Sequence, residues 1–373
     1  MKPTILLLLL TLSVSFVGCK DQEKKEKPSA ANLIKYAKNL SIQPKKQYTL
    51  VTVTPSADKT FRYILYKEEK PIIENIEAFI KVPIKSIACT STSQLPAFSL
   101  LHAENKLVGF QGTDWIYNKD LKERVATGLL RDIGQQQGIN QELTLKMRPT
   151  VLMAYQTPSS SNAFNIVKQA GIQIIYNLDF SETSPLGRAE WMKLSAALLD
   201  KNDVADSIFT TIERNYQQLA QKAKDFEQKP TVMTGIMYGD TWYIPGGKNY
   251  SSQFIADAGG QYLWSDDGST KSLALGFENI LTKAQQADLW IGTASIATYA
   301  ALAQTDQRYT YFEPYSNKTI YSYTKRVNEK GSNDYLESGY SRPDLILADY
   351  IKMLHAESDT AQSIVFTYFS QLK

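Results

Sequence analysis

Four short apolar runs decide the fold: S-I-A-C at Ser86–Cys89, L-V-G-F at Leu107–Phe110, V-L-M-A at Val151–Ala154 and I-Q-I-I-Y at Ile172–Tyr176. They lack the apolar–polar alternation of a half-exposed strand, as expected for strands covered on both faces. Stretches able to form helices lie between them. Strands alternating with helices predict an α/β domain with a parallel sheet.

Upstream, Tyr48–Val53 and Phe61–Tyr66 do alternate, and the turn residues Thr54-Pro55-Ser56-Ala57-Asp58 between them predict a β-hairpin. Downstream, Trp191, Leu194 and Leu198 recur at helical spacing, and so do Ala205, Ile208, Ile212, Tyr216, Leu219 and Ala223. Asp200-Lys201-Asn202-Asp203 interrupts that pattern, which predicts two helices, 187–200 and 204–226. Strands are then expected at Thr231–Met237, Thr241–Ile244, Ala287–Ile291 and Thr319–Tyr323. An amphipathic helix over 343–355 follows, opened by Pro343. The chain reads as two α/β lobes with mainly parallel central sheets, joined by a helix, with a ligand crevice between them. The expected boundaries are an N-terminal lobe at 45–186, an interlobe helix at 187–203 and a C-terminal lobe at 204–373.

The N-terminus has its own logic. Ile5 to Val17 is almost continuously apolar after the positive Lys2. The run is shorter than the roughly 20 residues of a comfortable membrane span and has the length of a signal-peptide core. It ends F-V-G-C at Phe16–Cys19, which resembles the lipobox of bacterial lipoproteins. That resemblance implies a signal peptide over 1–18, a lipid on Cys19 and attachment to a membrane through the lipid alone. Residues 19–44 are expected to tether the first lobe, with Lys20–Ala30 charged, polar and flexible. Lys20-Asp21-Gln22-Glu23 resembles only loosely the acidic signals that send some lipoproteins to the cell surface, so the envelope leaflet stays open. With Cys19 consumed, Cys89 has no partner for a disulfide.

Composition and motifs narrow the function. With 43% hydrophobic and 21% charged residues over 373, the chain is an ordinary globular protein. A formal charge of +3 without a dense basic stripe argues against nucleic acid. The two histidines, His102 and His355, cannot build a zinc site of usual spacing. His355 reads as a cation at a helix C-terminus and His102 as a partly buried helix residue. G-x-S-x-G, G-x-x-x-x-G-K-[ST] and G-x-G-x-x-G are all missing, and Asp266-Asp267-Gly268-Ser269 lacks EF-hand spacing. No catalytic residue, cofactor or resident metal is expected, although a carboxylate-only glycosidase would escape this argument.

Ordered motifs over residues 80–357 resemble the periplasmic binding proteins for ferric siderophores, haem and cobalamin. Ile87–Thr92 resembles their first strand and ligand-facing loop, and Leu107–Phe110 the second strand. Gly138–Glu142 followed by Leu145–Leu152 is similar to an "Asn-x-Glu, then Pro-Asp-Leu-Val" segment, with Thr150 where Asp is usual. Gly187–Trp191 resembles the start of the connecting helix, and Tyr243–Gly247 through Ala258-Gly259-Gly260 the C-lobe entry. Leu275–Leu281 with Ala287–Ile291 matches the second glutamate segment, and Arg342–Asp349 with His355 the closing helix. The resemblance implies a rigid interlobe helix, a monomer, and a bound metal chelate delivered to the permease dimer of an ABC importer. A ferric siderophore is the first-choice ligand, then a corrinoid such as cobalamin, then haem. A surface scavenger working without a permease is the competing reading.

Individual residues take their roles from this frame. Glu142 and Glu278 each stand near the start of an expected helix, where a carboxylate complements the dipole. The resemblance implies that they dock one lobe each onto permease arginines. Ser91, Thr92 and Ser93 cap the next helix or hydrogen-bond ligand. Trp115 and Tyr117 after the second strand, and Trp242 and Tyr243 at the C-lobe entry, either stack on a chelate or pack in the core; Trp191 and Trp290 are expected in the core. Arg326 and Tyr335 add polar and aromatic groups near the lobe junction, in a segment (309–340) dense in Tyr. A phenolate there is able to ligate iron, but stacking on a metal that brings its own ligands suits a chain so poor in His and Cys.

Overall fold

The computed structural model describes residues 31–135, 138–155 and 161–373. The signal peptide, Cys19 and the Lys20–Ala30 tether lie outside the described residues.

The chain opens with a four-stranded sheet, order β1-β2-β3-β4: β1 Leu40–Pro44, β2 Tyr48–Ser56, β3 Lys59–Tyr66 and β4 Ala78–Lys81. β2 and β3 are the expected hairpin, tightened to a turn at Ala57-Asp58 because Ser56 pairs with Lys59. β1 corrects the expected 19–44 tether: Leu40 and Ile42 are buried strand residues paired with Val53 and Val51.

The N-terminal lobe follows. Its sheet, order β11-β10-β5-β6-β7, is all parallel: β5 Ile87–Cys89, β6 Leu107–Phe110, β7 Arg131–Asp132, β10 Val151–Ala154 and β11 Gln173–Tyr176. A two-strand ladder, β8 Gly134–Gln135 and β9 Gly138–Ile139, sits beside it. The helices are α1 Leu95–Leu100, α2 Lys119–Ala126, α3 Gln141–Met147 and α4 Ser161–Gln169. Because side chains alternate along a strand, the two sheet faces feed two cores. Ile87, Cys89, Val151 and Met153 pack with the leading sheet and α1, whereas Ala88, Leu152 and Ala154 pack under α3 and α4. The runs therefore carry no alternation.

Three helices make the connection: α5 Pro185–Glu190, α6 Met192–Leu199 and α7 Asn202–Lys224. α6 sends Leu194 and Ala196–Leu199 into the N-lobe core. Asp200 takes a left-handed conformation (φ +57°) and ends it. α7, about 34 Å long at 1.5 Å per residue, places Ala205 in the N-lobe core, Phe209 in a small junction cluster, and Tyr216 and Ala223 in the C-lobe core. The crossing is thus made at 202–224, not at 187–203. The helical spacing was legible, but the partner of each apolar face was not.

The C-terminal lobe has a sheet of order β15-β12-β17-β18-β19: β12 Thr231–Thr234, β15 Gln261–Tyr262, β17 Leu289–Ile291, β18 Ile320–Ser322 and β19 Ser370–Gln371, antiparallel only at β19. A second ladder, β13 Ile236–Tyr238, β14 Thr241–Pro245 and β16 Ser272–Leu275, stands at its carboxyl edge. Its helices are α8 Tyr250–Asp257, α9 Phe277–Ala284, α10 Tyr299–Thr305, α11 Glu313–Ser316, α12 Pro343–Leu354 and α13 Asp359–Gln362. At the end of α12, His355 is buried, stacks on Phe226 at 3.9 Å and bonds the Ala258 carbonyl at 2.9 Å. Burial pushes its pKa down, so it serves as a neutral packing group and not as the expected cation. His102 is exposed with φ +48° just past α1, outside the helix expected to hold it. No helix among the described residues is long and apolar enough to cross a membrane.

Candidate functional site

The seam between the lobes is formed by chain leaving the carboxyl edges of both parallel sheets. After β5, the Gln94 amide oxygen accepts from Thr90 N (3.1 Å) and Ser91 N (3.3 Å), and the Ser91 and Ser93 hydroxyls meet at 2.9 Å. Thr92 donates its hydroxyl across the seam to the Leu336 carbonyl at 2.9 Å. These three residues shape the turn before α1, and Thr92 joins the lobes. After β6, Gly112 (φ +80°) turns the chain, and the Asp132 carboxylate accepts from Gly112 N and from Thr113 N and Oγ1. The loop so held presents Trp115, 52% exposed, with Tyr117 half-buried behind it.

From the C-lobe a strap, residues 326–341, reaches over. Ser332 donates to the Asp114 carbonyl at 2.7 Å, and the Glu337 carboxylate accepts from Tyr117 N (2.7 Å) and Asn118 N (3.1 Å). Arg326 pairs with Asp334 at 2.9 Å, and its guanidinium carbon lies 5.7 Å from the Tyr117 ring centre. Tyr117, Arg326 and Glu337 line a cavity of about 410 Å³ on the side of α1 and α12. Burial pushes the Glu337 carboxyl up to about 7, against the pull of the two N–H donors. A raised carboxyl pKa means that ionised Glu337 is destabilising in the fold, with a cost that grows as pH climbs from about 4.5 to 7. We expect Glu337→Gln to gain stability relative to wild type over that range, by about 3 kcal/mol, and the difference to be flat above it. Thermal melts of both proteins from pH 4.5 to 8 read it directly; a constant difference overturns the assignment.

Trp242 and Tyr243 part company. Neighbours in β14, they point to opposite faces. Trp242 is fully buried, donates Nε1 to the Thr234 carbonyl at 3.0 Å and packs within 5.5 Å of the Trp290, Tyr309 and Phe312 rings. It is a core residue, which removes it from the expected ligand contacts. Tyr243 is 47% exposed. Tyr335 stacks on Tyr323 at 4.7 Å and meets Phe369 edge-on, and burial pushes its hydroxyl well above the usual range. Itself part of the strap, it is half-buried, and its hydroxyl meets that of Tyr250 at 3.3 Å. Trp191 and Trp290 are buried, as expected.

Glu142 and Glu278 are both exposed in the first turns of α3 and α9, one on each lobe. No group of acids, His and Cys among the described residues is arranged to hold a metal.

The family model described as periplasmic binding protein matches residues 87–327. The chain belongs to that family. Two lipoproteins of Methanocaldococcus jannaschii, both called uncharacterized, are similar: one is 25% identical over 75% of this chain and 67% of its own length, the other 22% identical over 94% of each. Among solved structures, a possible iron-binding protein of Staphylococcus epidermidis superposes with TM-score 0.57 at 16% identity, covering 73% of this chain and 99% of that one. A heme binding protein of Vibrio cholerae gives 0.55 at 17%, covering 70% and 99%. At these identities the structural likeness speaks for the fold.

Sequence reasoning missed several seam residues of this periplasmic binding protein. Glu337 lies 220 residues from the Tyr117 amide it accepts from, and nothing local marks it. Phe180 and Tyr238, 51% and 84% exposed, also escaped notice. Phe180 follows β11 and Tyr238 sits in the β13–β14 hairpin. An aromatic just past a buried strand was the available signal.

Proposed function

We propose that this chain captures an iron complex, a ferric siderophore first of all, at the lobe seam outside the cell membrane and delivers it to an ABC importer. The observation that carries this reading is the placement of exposed aromatic surface. The exposed large aromatic side chains among the described residues are Trp115, Phe180, Tyr238, Tyr243 and Tyr311. The first four stand on chain leaving the carboxyl edges of the two sheets, where flat rings suit the face of a chelate. The family and the two-lobed fold support capture rather than catalysis, and solved relatives include proteins named for heme and vitamin B12, the alternative ligands. The lipoprotein names of the similar archaeal chains support anchoring at Cys19.

Binding of a panel of ferric siderophores, cobalamin and haem to the chain, followed by tryptophan fluorescence, tests the ligand class. Sub-micromolar binding of one class supports the reading, and binding of none sinks it. Delivery is tested separately. With Glu142→Lys and Glu278→Lys together, ligand affinity should stay within twofold of wild type, roughly, while uptake falls at least about tenfold, because two charge-assisted contacts become repulsive. Unchanged uptake would favour a scavenger that never meets a permease.

A further inference from the structure

At the centre of the lobe junction is a small polar pocket of about 10 Å³. Two of its lining side chains carry buried nitrogens without a hydrogen-bond partner, Gln94 Nε2 and Arg188 Nε. Gln94 is 2% exposed and Arg188 9%. Neither nitrogen is free to turn away. The Gln94 amide is oriented by the two backbone N–H groups bound to its oxygen. The Arg188 guanidinium stacks on Tyr250 at 3.7 Å and donates to the Phe180 carbonyl at 2.7 Å. A third lining group, Asp179, is 5% exposed, and its carboxyl retains lone pairs after the Ser93 hydroxyl and the Phe180 N–H.

Two fixed donors and one acceptor around a space that holds about one water match the requirements of a single buried water, which needs two to four polar partners. They do not match an anion, which would meet the Asp179 carboxyl, with Glu182 also buried nearby. They do not match a cation, which would meet the guanidinium. We infer that one ordered water is a structural part of the junction, accepting from Gln94 Nε2 and Arg188 Nε and donating to the Asp179 carboxyl. It ties the turn after β5, the loop after β11 and helix α5 together, and Tyr340 and Ser341 of the strap line the same pocket. The turn that carries Ser91, Thr92 and Ser93 is thereby fixed to the connecting helices.

A high-resolution crystal structure of the detergent-solubilised full chain, with a second crystal soaked in bromide, tests this. One water peak within hydrogen-bond distance of all three atoms, without anomalous signal, is the expected result. A dry cavity overturns the inference, and so does an anomalous bromide peak there. In solution, oxygen-17 relaxation dispersion should count one fewer long-lived water in Gln94→Met than in wild type; an equal count also overturns it.

Discussion

Trp242→Ala should lower the stability of the chain by about 3–5 kcal/mol, the usual cost of emptying a buried aromatic site. The side chain is fully buried among Trp290, Tyr309 and Phe312, and its removal also leaves the Thr234 carbonyl without the indole donor. Tyr243→Ala, one residue on, should behave in the opposite way. It removes a half-exposed ring, so stability should change by roughly 0.5 kcal/mol or less, and affinity for the chelate should fall. Denaturant unfolding and ligand titration of both variants separate the roles. Loss of binding in Trp242→Phe with stability intact would return Trp242 to the ligand site.

The second large effect is expected at Glu190. This carboxylate is completely buried and accepts from three consecutive backbone N–H groups, Lys35 (2.9 Å), Tyr36 (2.7 Å) and Ala37 (3.0 Å). Glu182 continues the clasp, accepting from Lys38 and Asn39 at 3.0 Å and from the Trp191 indole at 3.0 Å. Residues 35–39, within the segment expected as a tether, are thus bound to α5 and the turn before it. Glu190→Ala strands three part-buried backbone donors and removes one partner of Lys193, whose ammonium lies 3.4 Å from it. At about 1–3 kcal/mol for each unsatisfied buried group, partly relieved by water, the loss should reach about 3–5 kcal/mol. The melting temperature should drop accordingly, and trypsin should cut after Lys35 or Lys38 in the variant under conditions that leave wild type whole. An unshifted melt with the segment still protected would show that the clasp is dispensable.

The connecting segment shows where sequence reading stops. Spacings of three and four among Trp191, Leu194 and Leu198, and again from Ala205 to Ala223, mark helices because an apolar stripe must recur at the helical period. Period says nothing about which core a stripe enters. Only packing showed that α6 stays in the N-lobe while α7 spans both. Asp200, read as part of an interruption, is the residue that ends α6. The same limit applies at Trp242 and Tyr243, where strand alternation guarantees opposite faces but not which face is inside.

The sequence by itself determined the two parallel-sheet lobes, the helical link between them, the first-turn positions of Glu142 and Glu278, and the buried places of Trp191 and Trp290. Those features follow from local periodicity, capping and burial, which neighbouring residues encode. The tertiary structure alone decided the Glu337 contact across the seam, the Glu182 and Glu190 clasp on residues 35–39, and the meeting of Gln94, Asp179 and Arg188 around one small cavity. Most of these contacts join residues between 85 and 220 positions apart, and a buried polar group reveals its partner only when the fold has brought both out of water.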